Sequence, residues 1–365
     1  IISTINLSEK LKDEYPENKF VPIFWLASED HDFQEVNHIN LFRKKYEWHS
    51  SQTGMVGDFN TSEVSHTIQE LKNVLGNSEN ANSLIELFQK CYKNNSLSHA
   101  SRLLINELFG KYGLVILDAN DKVLKKQLIP IIYKDVIKKE LSSLISQNTS
   151  SLSNQYKVQA NVRDINFFSL SKGKRERIVG NILKKEIENY PEKFSPNVLM
   201  RPLYQELILP NLAYIGGGAE ISYWMQLKSV FEELNIIFPI LVLRNSVMWI
   251  EEKEYNKWKS LGFEIEDIFL LEHELHKMFI EKQSSVNLEK ERINLEEIYQ
   301  EISNKTIDVG LKSSIDSELK KQLNSIGKLE RKLIKSEKQK HETSLNQISK
   351  IKQKFFPNNV LQERF

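Results

Sequence analysis

The sequence predicts an α/β protein in which a doubly wound parallel sheet, broken by two insertions, is followed by a C-terminal antiparallel α-helical coiled coil. Three apolar runs, KFVPIFWLAS (19–28), YGLVILDAND (112–121) and FPILVLRNS (238–246), each end in polar residues and alternate with helical patterns. Runs of this kind, rich in β-branched and aromatic residues, fit strands buried on both faces, and strands that alternate with helices build parallel sheets. Beyond about residue 271 tryptophan disappears, Lys and Glu dominate, and Leu288, Leu295 and Ile302 recur every seven residues. That recurrence is the seam of a coiled coil.

The elements follow in order. Ile1, Ile5 and Leu11 begin a helical pattern with no capping residue ahead of it, the pattern of a chain that lacks its natural beginning. The first strand, 20–28, leads into Glu29-Asp30-His31-Asp32. FQEVNHINLFRKKY after it is expected to form a helix capped by Asp30 or Asp32. Residues 1–59 are thus a first part of the core, and 60–110, helical with polar linkers such as LGNSENANS, a helical insertion. Residues 111–141 return to the core with a strand ending in Asp118 and Asp121. Residues 142–194 form a small second insertion. Its low-complexity lead, SSLISQNTSSLSNQ, runs into an alternating segment whose Lys172-Gly173 pair signals a β-hairpin. Residues 195–270 complete the core, 271–354 form the coiled coil with a break near Asn304–Gly310, and 355–365 return to the core.

Composition narrows the function. No run of eighteen apolar residues exists to span a membrane, and the N-terminus lacks the basic start and cleavage pattern of a signal peptide. A net charge of +1 argues against nucleic acid as a partner. The stretch 312–354, with twelve Lys/Arg against five Asp/Glu, is basic, as a solvated coiled-coil face also would be. The single cysteine, Cys91, excludes an internal disulfide and fits a reducing cytoplasm. Its helical setting, LIELFQKCYK, suits a small packing residue.

Two stretches offer chemistry. Glu29, Asp30, His31, Asp32 and Asn37 supply more polar groups than one helix cap needs, at the strand end where open α/β sheets bind ligands. His31, or His38 seven residues on, could act as a base near neutrality, with Asp30 and Asp32 as catalytic partners. A packing role for His38 fits equally well. Adjacent side chains at a turn diverge and no H-x-x-x-H or C-x-x-C accompanies them, so no metal site is expected. The second stretch, NVLMRPLYQELILPNLAYIGGGAEISYW (197–224), offers Arg201, Tyr204, Gln205, the Gly216-Gly217-Gly218 turn, Glu220 and Tyr223, to which the third strand end adds Arg244. Two guanidinium forks and exposed backbone N–H groups suit a carboxylate or phosphate. A tight turn with a surface Arg–Glu pair would need the same residues.

FWLASEDHDFQEVNH, MRPLYQELILPNLAYIGGGAEISYW and the closing FFPNNVLQERF resemble the bacillithiol biosynthesis cysteine-adding enzymes, the BshC family, over essentially the whole chain. The resemblance implies a Rossmann-like core with connecting-peptide insertions and a coiled coil, similar in plan to class I aminoacyl-tRNA synthetases. It also implies ligation of L-cysteine to glucosaminyl-malate, with ATP as co-substrate, Mg2+ as its possible companion and no tightly bound cofactor. Two copies could pair through the coiled coil. Members of that family carry a further strand and a T-G-Q-Q loop ahead of the position of Ile1, continue beyond that of Phe365, and often have G-G-P where this chain has Gly218. The alternative reading is a non-catalytic coiled-coil adaptor with a nucleotide-binding core. Polar clusters at three strand ends favour the enzyme, because a scaffold has no need of them.

Overall fold

Four short parallel strands hold the lips at which the polar clusters lie. The computed structural model describes residues 1–42, 44–93, 95–171, 174–283 and 288–364, which divide into one unit of Ile1–Asn245 and another of Ser246–Phe365. The strands of the first unit are β1 (Ile23–Leu26), β2 (His38–Leu41), β3 (Lys44–Glu47), β4 (Val115–Asp118), β5 (Phe167–Ser171), β6 (Lys174–Arg177), β7 (Phe194–Pro196), β8 (Ala213–Gly216) and β9 (Ile240–Leu243). β1 pairs in parallel with β4, Leu26 opposite Asp118, and β8 pairs in parallel with β9, Gly216 opposite Leu243. The expected Rossmann-like parallel core is present as these two ladders. Because each register aligns carboxyl ends, the loop after β1 and the loop after β4 leave from one lip. The glycine turn and Arg244 leave from the other.

The segment after β1 departs from expectation. FQEVNHINLFRKKY is not a helix: a 3-10 turn over Phe33–Glu35 is followed by an antiparallel β2–β3 hairpin, His38 opposite Glu47. Neither Asp30 nor Asp32 caps a helix. Asp30 accepts the N–H of His31 at 2.7 Å, and Asp32 precedes the turn without a side-chain cap bond. Tertiary packing overrides the helical pattern here, since Phe33 stacks edge-on against Trp48 at 4.8 Å and packs on Phe59 at 5.1 Å.

Between Asn60 and Gly110 the chain is helical, with helices Val64–Leu75, Glu79–Tyr92 and Leu97–Phe109; Ser78 and Ser96 cap the second and third. Cys91 is fully buried there and burial pushes its thiol up, which makes it a packing residue. In the second insertion the low-complexity lead forms a helix, Leu141–Ser153. Leu141 and Ile145 bury one stripe, and the abundance of Ser and Asn on the other faces hid it. The β5–β6 hairpin is present and β7 adds a third strand; the Lys172-Gly173 turn lies outside the described residues. Phe167 and Phe194 of this insertion share one core with Leu203, Trp224 and Phe231, so the insertion is fastened to the sheet layer rather than hung from it.

The second unit has its own core of Trp258, Phe263, Phe279, Ile348 and Phe355. Its helices Glu289–Ser303 and Val309–Lys340 run on either side of the expected break and are tied by an Arg292–Glu330 ion pair at 2.9 Å. The closing segment bonds within this unit, Gln362 accepting the N–H of Trp249 and Glu363 that of Val247. Among the described residues no helix is long and apolar enough to cross a membrane.

Gly57 closes the first lip. Its N–H donates to the Ser28 carbonyl at 3.1 Å, and an added Cβ would lie 2.5 Å from that oxygen. Gly57→Ala is therefore expected to cost about 1–3 kcal/mol in urea unfolding, the usual range for overpacking against backbone.

Candidate active site

The two loops of the first lip converge on a buried ion pair. Glu29, at the end of β1, pairs with Lys125, which is fully buried in the short helix Lys122–Lys125 that follows β4. Lys125 also donates to the Asn120 side chain at 3.0 Å and to the Glu192 carbonyl at 3.2 Å. Burial pushes the Glu29 carboxyl up, and Lys125, with a 3.0 Å bond from the Ser195 hydroxyl, pulls it back. Ser195, in β7, accepts in turn from Arg175 Nε at 3.0 Å. Arg175, in β6, donates to the Pro196 carbonyl at 2.9 Å and lies over the ring of Phe168 at 4.1 Å. One outer nitrogen of Arg175 reaches His31 Nδ1 at 3.4 Å. The same Nδ1 lies 3.4 Å from Asp30, and it can serve only one of them at a time.

Above this chain of contacts opens a cavity of about 490 Å³, lined by Asp30, Arg163, Arg175, Asn197, Arg201 and Tyr204 among others. Tyr204 is fully buried, donates to the Ala119 carbonyl at 3.1 Å and packs edge-on against Trp25 at 5.3 Å, so it forms floor rather than offering a free hydroxyl. Arg201 enters from the first turn of the helix Met200–Ile208, where it donates to Gln205 at 3.2 Å, to the Tyr214 hydroxyl at 3.2 Å and to the Tyr223 hydroxyl. Its partners are neutral. Glu220 stands 3.9 Å away, beyond hydrogen-bond reach.

Arg201 also borders a second cavity, about 380 Å³, between β1 and β8, together with Gln205, Tyr214, Glu220 and Arg244. Of the expected grouping, Arg201, Glu220 and Arg244 border this second space, with Arg201 common to both cavities, whereas Gly216, Gly217 and Gly218 are not part of its lining. The turn is closed by its own helix: Glu220 accepts the Gly217 N–H at 2.8 Å and the Tyr214 hydroxyl at 2.7 Å. Burial pushes that hydroxyl up, so it stays protonated and donates. Gly216 is required by space, since a Cβ there would meet the Tyr214 ring at 2.8 Å, and Gly218 begins the helix Gly218–Met225. Below the turn, Glu206 is buried and pushed to about 7, though it accepts three N–H bonds from Asn211 and Gln205.

Asn37 and His38 fall elsewhere. Asn37 donates to Glu47 and to the Trp48 carbonyl and bonds the His38 ring at 3.1 Å, in the wall of a separate apolar cavity beneath the hairpin. With a hairpin in place of a helix, His38 cannot share a face with His31. Asp32 and His31 are both exposed and outside the cavity's lining, His31 reaching its edge through Arg175. Lys125, Arg163, Arg175, Ser195 and Asn197 were not foreseen. The basic end of the predicted hairpin, KGKRER, was the one sequence signal for Arg175.

Family models match both units: the BshC N-terminal Rossmann-like domain of bacillithiol biosynthesis over residues 1–245, and the BshC C-terminal coiled-coil domain over 247–365. The chain belongs to the BshC family. Relatives that bear the name "Putative cysteine ligase BshC" include those of Christiangramia forsetii (40% identical, covering all of this chain and 72% of the relative) and Flavobacterium johnsoniae (40%, all of this chain and 73%). The relative from Cytophaga hutchinsonii is 34% identical over all of this chain and 72% of its own length. The first family model spans the whole of the cavity, including the second insertion, which contributes Arg163 and Arg175 to its wall.

Two outcomes check the electrostatics. Lys125→Met strips Glu29 of its buried counter-ion and is expected to cost about 3–5 kcal/mol in urea unfolding, while Lys125→Met/Glu29→Gln loses markedly less. Glu206 has a raised folded-state value, so the unfolded chain releases its proton first and stability falls as pH rises from about 4.5 to about 7. In Glu206→Gln that part of the pH dependence is expected to vanish, measured as the slope of unfolding free energy across the window.

Proposed function

We propose that this chain forms the amide bond between L-cysteine and glucosaminyl-malate, with ATP activating the cysteine carboxyl and Mg2+ accompanying its phosphates. The names of the relatives support the reaction class, and one structural observation carries the site: three guanidinium groups, of Arg163, Arg175 and Arg201, around a cavity of about 490 Å³. That volume suits a small-molecule site. The malate moiety brings two carboxylates, and arginine meets a carboxylate with paired N–H bonds worth more than neutral ones. Arg175 and Arg201, whose guanidinium groups are held by neighbouring acceptors, pay little to reorganise when the ligand arrives.

The nucleophile is the amine of the sugar. As it attacks the activated carboxyl, the C–N bond forms, the activating group leaves with its bonding pair, and the amine sheds a proton. His31 is the base in this proposal. When Arg175 turns its outer nitrogen to a substrate carboxylate, Nδ1–H of His31 is left to Asp30, and Nε2 can take the proton. Asp32 has no part in the scheme.

Arg175→Lys and Arg201→Lys keep the charge and lose the fork. Each is expected to raise KM for glucosaminyl-malate at least tenfold with KM for cysteine unchanged. His31→Ala is expected to lower kcat by about 100-fold or more. Parent-like kinetics in all three variants would remove the cavity from the reaction.

A further inference from the structure

A buried carboxylate that the scheme above does not use stands behind the cavity wall. Asp135 has no exposed surface and sits in a π-helical turn, Tyr133–Ile137, whose sequence neighbours Ile131, Ile132, Val136 and Leu141 belong to the main core. Both its oxygens are committed to one residue, accepting from Asn166 N at 2.5 Å and from Asn166 Nδ2 at 3.1 Å. A carboxylate only accepts, so it dictates which way the Asn166 amide points. With Nδ2 turned to Asp135 and to the Arg163 carbonyl at 2.8 Å, Oδ1 must face the other way. There it accepts Arg163 N at 3.3 Å and Asn197 Nδ2 at 3.0 Å. Asn197, also held through its own N–H to the Asn166 carbonyl at 2.9 Å, accepts the N–H groups of Leu199 and Met200 at 2.9 and 3.0 Å. Those are the first amides of the helix that carries Arg201.

We infer that Asp135 is a positioning residue for the arginine wall, orienting Asn166 so that Arg163 and the first turn of the Arg201 helix are held where a dicarboxylate substrate binds. The inference rests on the reading of the cavity given above. Stability alone gives a poor reason for the residue: burial pushes its carboxyl to about 6, and the forces opposing that shift come from Asn166 alone. An apolar side chain among those isoleucines would avoid the desolvation. Asp135→Asn is isosteric but faces the two Asn166 donors with one oxygen and one NH2, so one donor loses its acceptor and the amide of Asn166 loses its fixed orientation.

The test takes two measurements on Asp135→Asn, with Asn197→Asp as a second variant that keeps the helix cap and loses the Nδ2 bond to Asn166. Steady-state kinetics should show KM for glucosaminyl-malate raised about tenfold, with kcat within twofold and KM for cysteine unchanged in Asp135→Asn. Amide hydrogen exchange without substrate should quicken at least tenfold at Arg163, Leu199 and Met200 and hold steady in the helix Val64–Leu75. Unchanged exchange at those amides overturns the inference whatever the cavity binds. Faster exchange with an unchanged KM also overturns it, leaving Asp135 a role in the fold alone. If the parent neither turns over nor binds L-malate in calorimetry, the functional reading falls, the positioning of a substrate wall falls with it, and the exchange data still report whether the hub exists.

Discussion

The Glu29–Lys125 pair is the constraint on which the first unit's site depends. Removing two opposite charges from water costs several kcal/mol for each ion, and their attraction repays this only where further hydrogen bonds complete the shell. That shell comes from three separate parts of the chain: Asn120 after β4, the Glu192 carbonyl, and Ser195 in β7. The pair therefore forms only when the β1 lip, the β4 lip and the second insertion are all in register. A stretch of sequence that appears to present a loose acidic cluster instead places one acid, Glu29, as the fixed point from which Ser195 and then Arg175 are hung.

The arginines that result are ordered by neutral hydrogen-bond acceptors, with carboxylates standing further off: Glu29 and Asp30 act on Arg175 through charge, and Glu220 lies 3.9 Å from Arg201. Arg175 spends its donors on a hydroxyl, a carbonyl and an imidazole, and Arg201 on an amide oxygen and two phenols. Had carboxylates done the same work at hydrogen-bond distance, the cavity would present rigid but cancelled charge. Neutral acceptors give rigidity while leaving the guanidinium charge less fully compensated than a direct ion pair at hydrogen-bond distance would.

The parallel ladders were legible because IFWL, VILD and ILVL are apolar runs that can be read with no knowledge of their neighbours, although burial on both faces is not what they show: Val115, Ile240 and Leu243 are exposed. The coiled coil was legible for a related reason, its seven-residue repeat. The β2–β3 hairpin was not, since HINLFRKKYE satisfies a helical pattern as well as an alternating one, and the decision belongs to Phe33, Trp48 and Phe59, which meet only in the folded chain. The same division runs through the site. Glu29, Asp30, His31 and Arg201 lie at strand ends or inside a distinctive stretch. Their partners lie far off in sequence, Ser195 being 166 residues from Glu29 and Arg175 144 residues from His31, and no local pattern encodes contacts at that range.

That distance has a consequence for how the site is built. The core supplies the acid and the imidazole, Glu29, Asp30 and His31, from one lip whose geometry the β1–β4 register dictates. Arg163 and Arg175 come from the insertion between the second and third parts of the core, and its strands share the main core through Phe167 and Phe194. In the proposed scheme the base and two of the recognising arginines are thus carried by different segments that a few buried polar contacts lock together. Such a division lets the insertion be reshaped toward a different anion while the lip is left intact, as loops on a rigid scaffold generally allow. In that scheme the buried residues joining the two, Lys125, Ser195 and Asn166, act at a distance from any reacting atom. They are not in the reaction, yet a shift of about 1 Å in what they hold is enough to spoil the alignment of substrate and base.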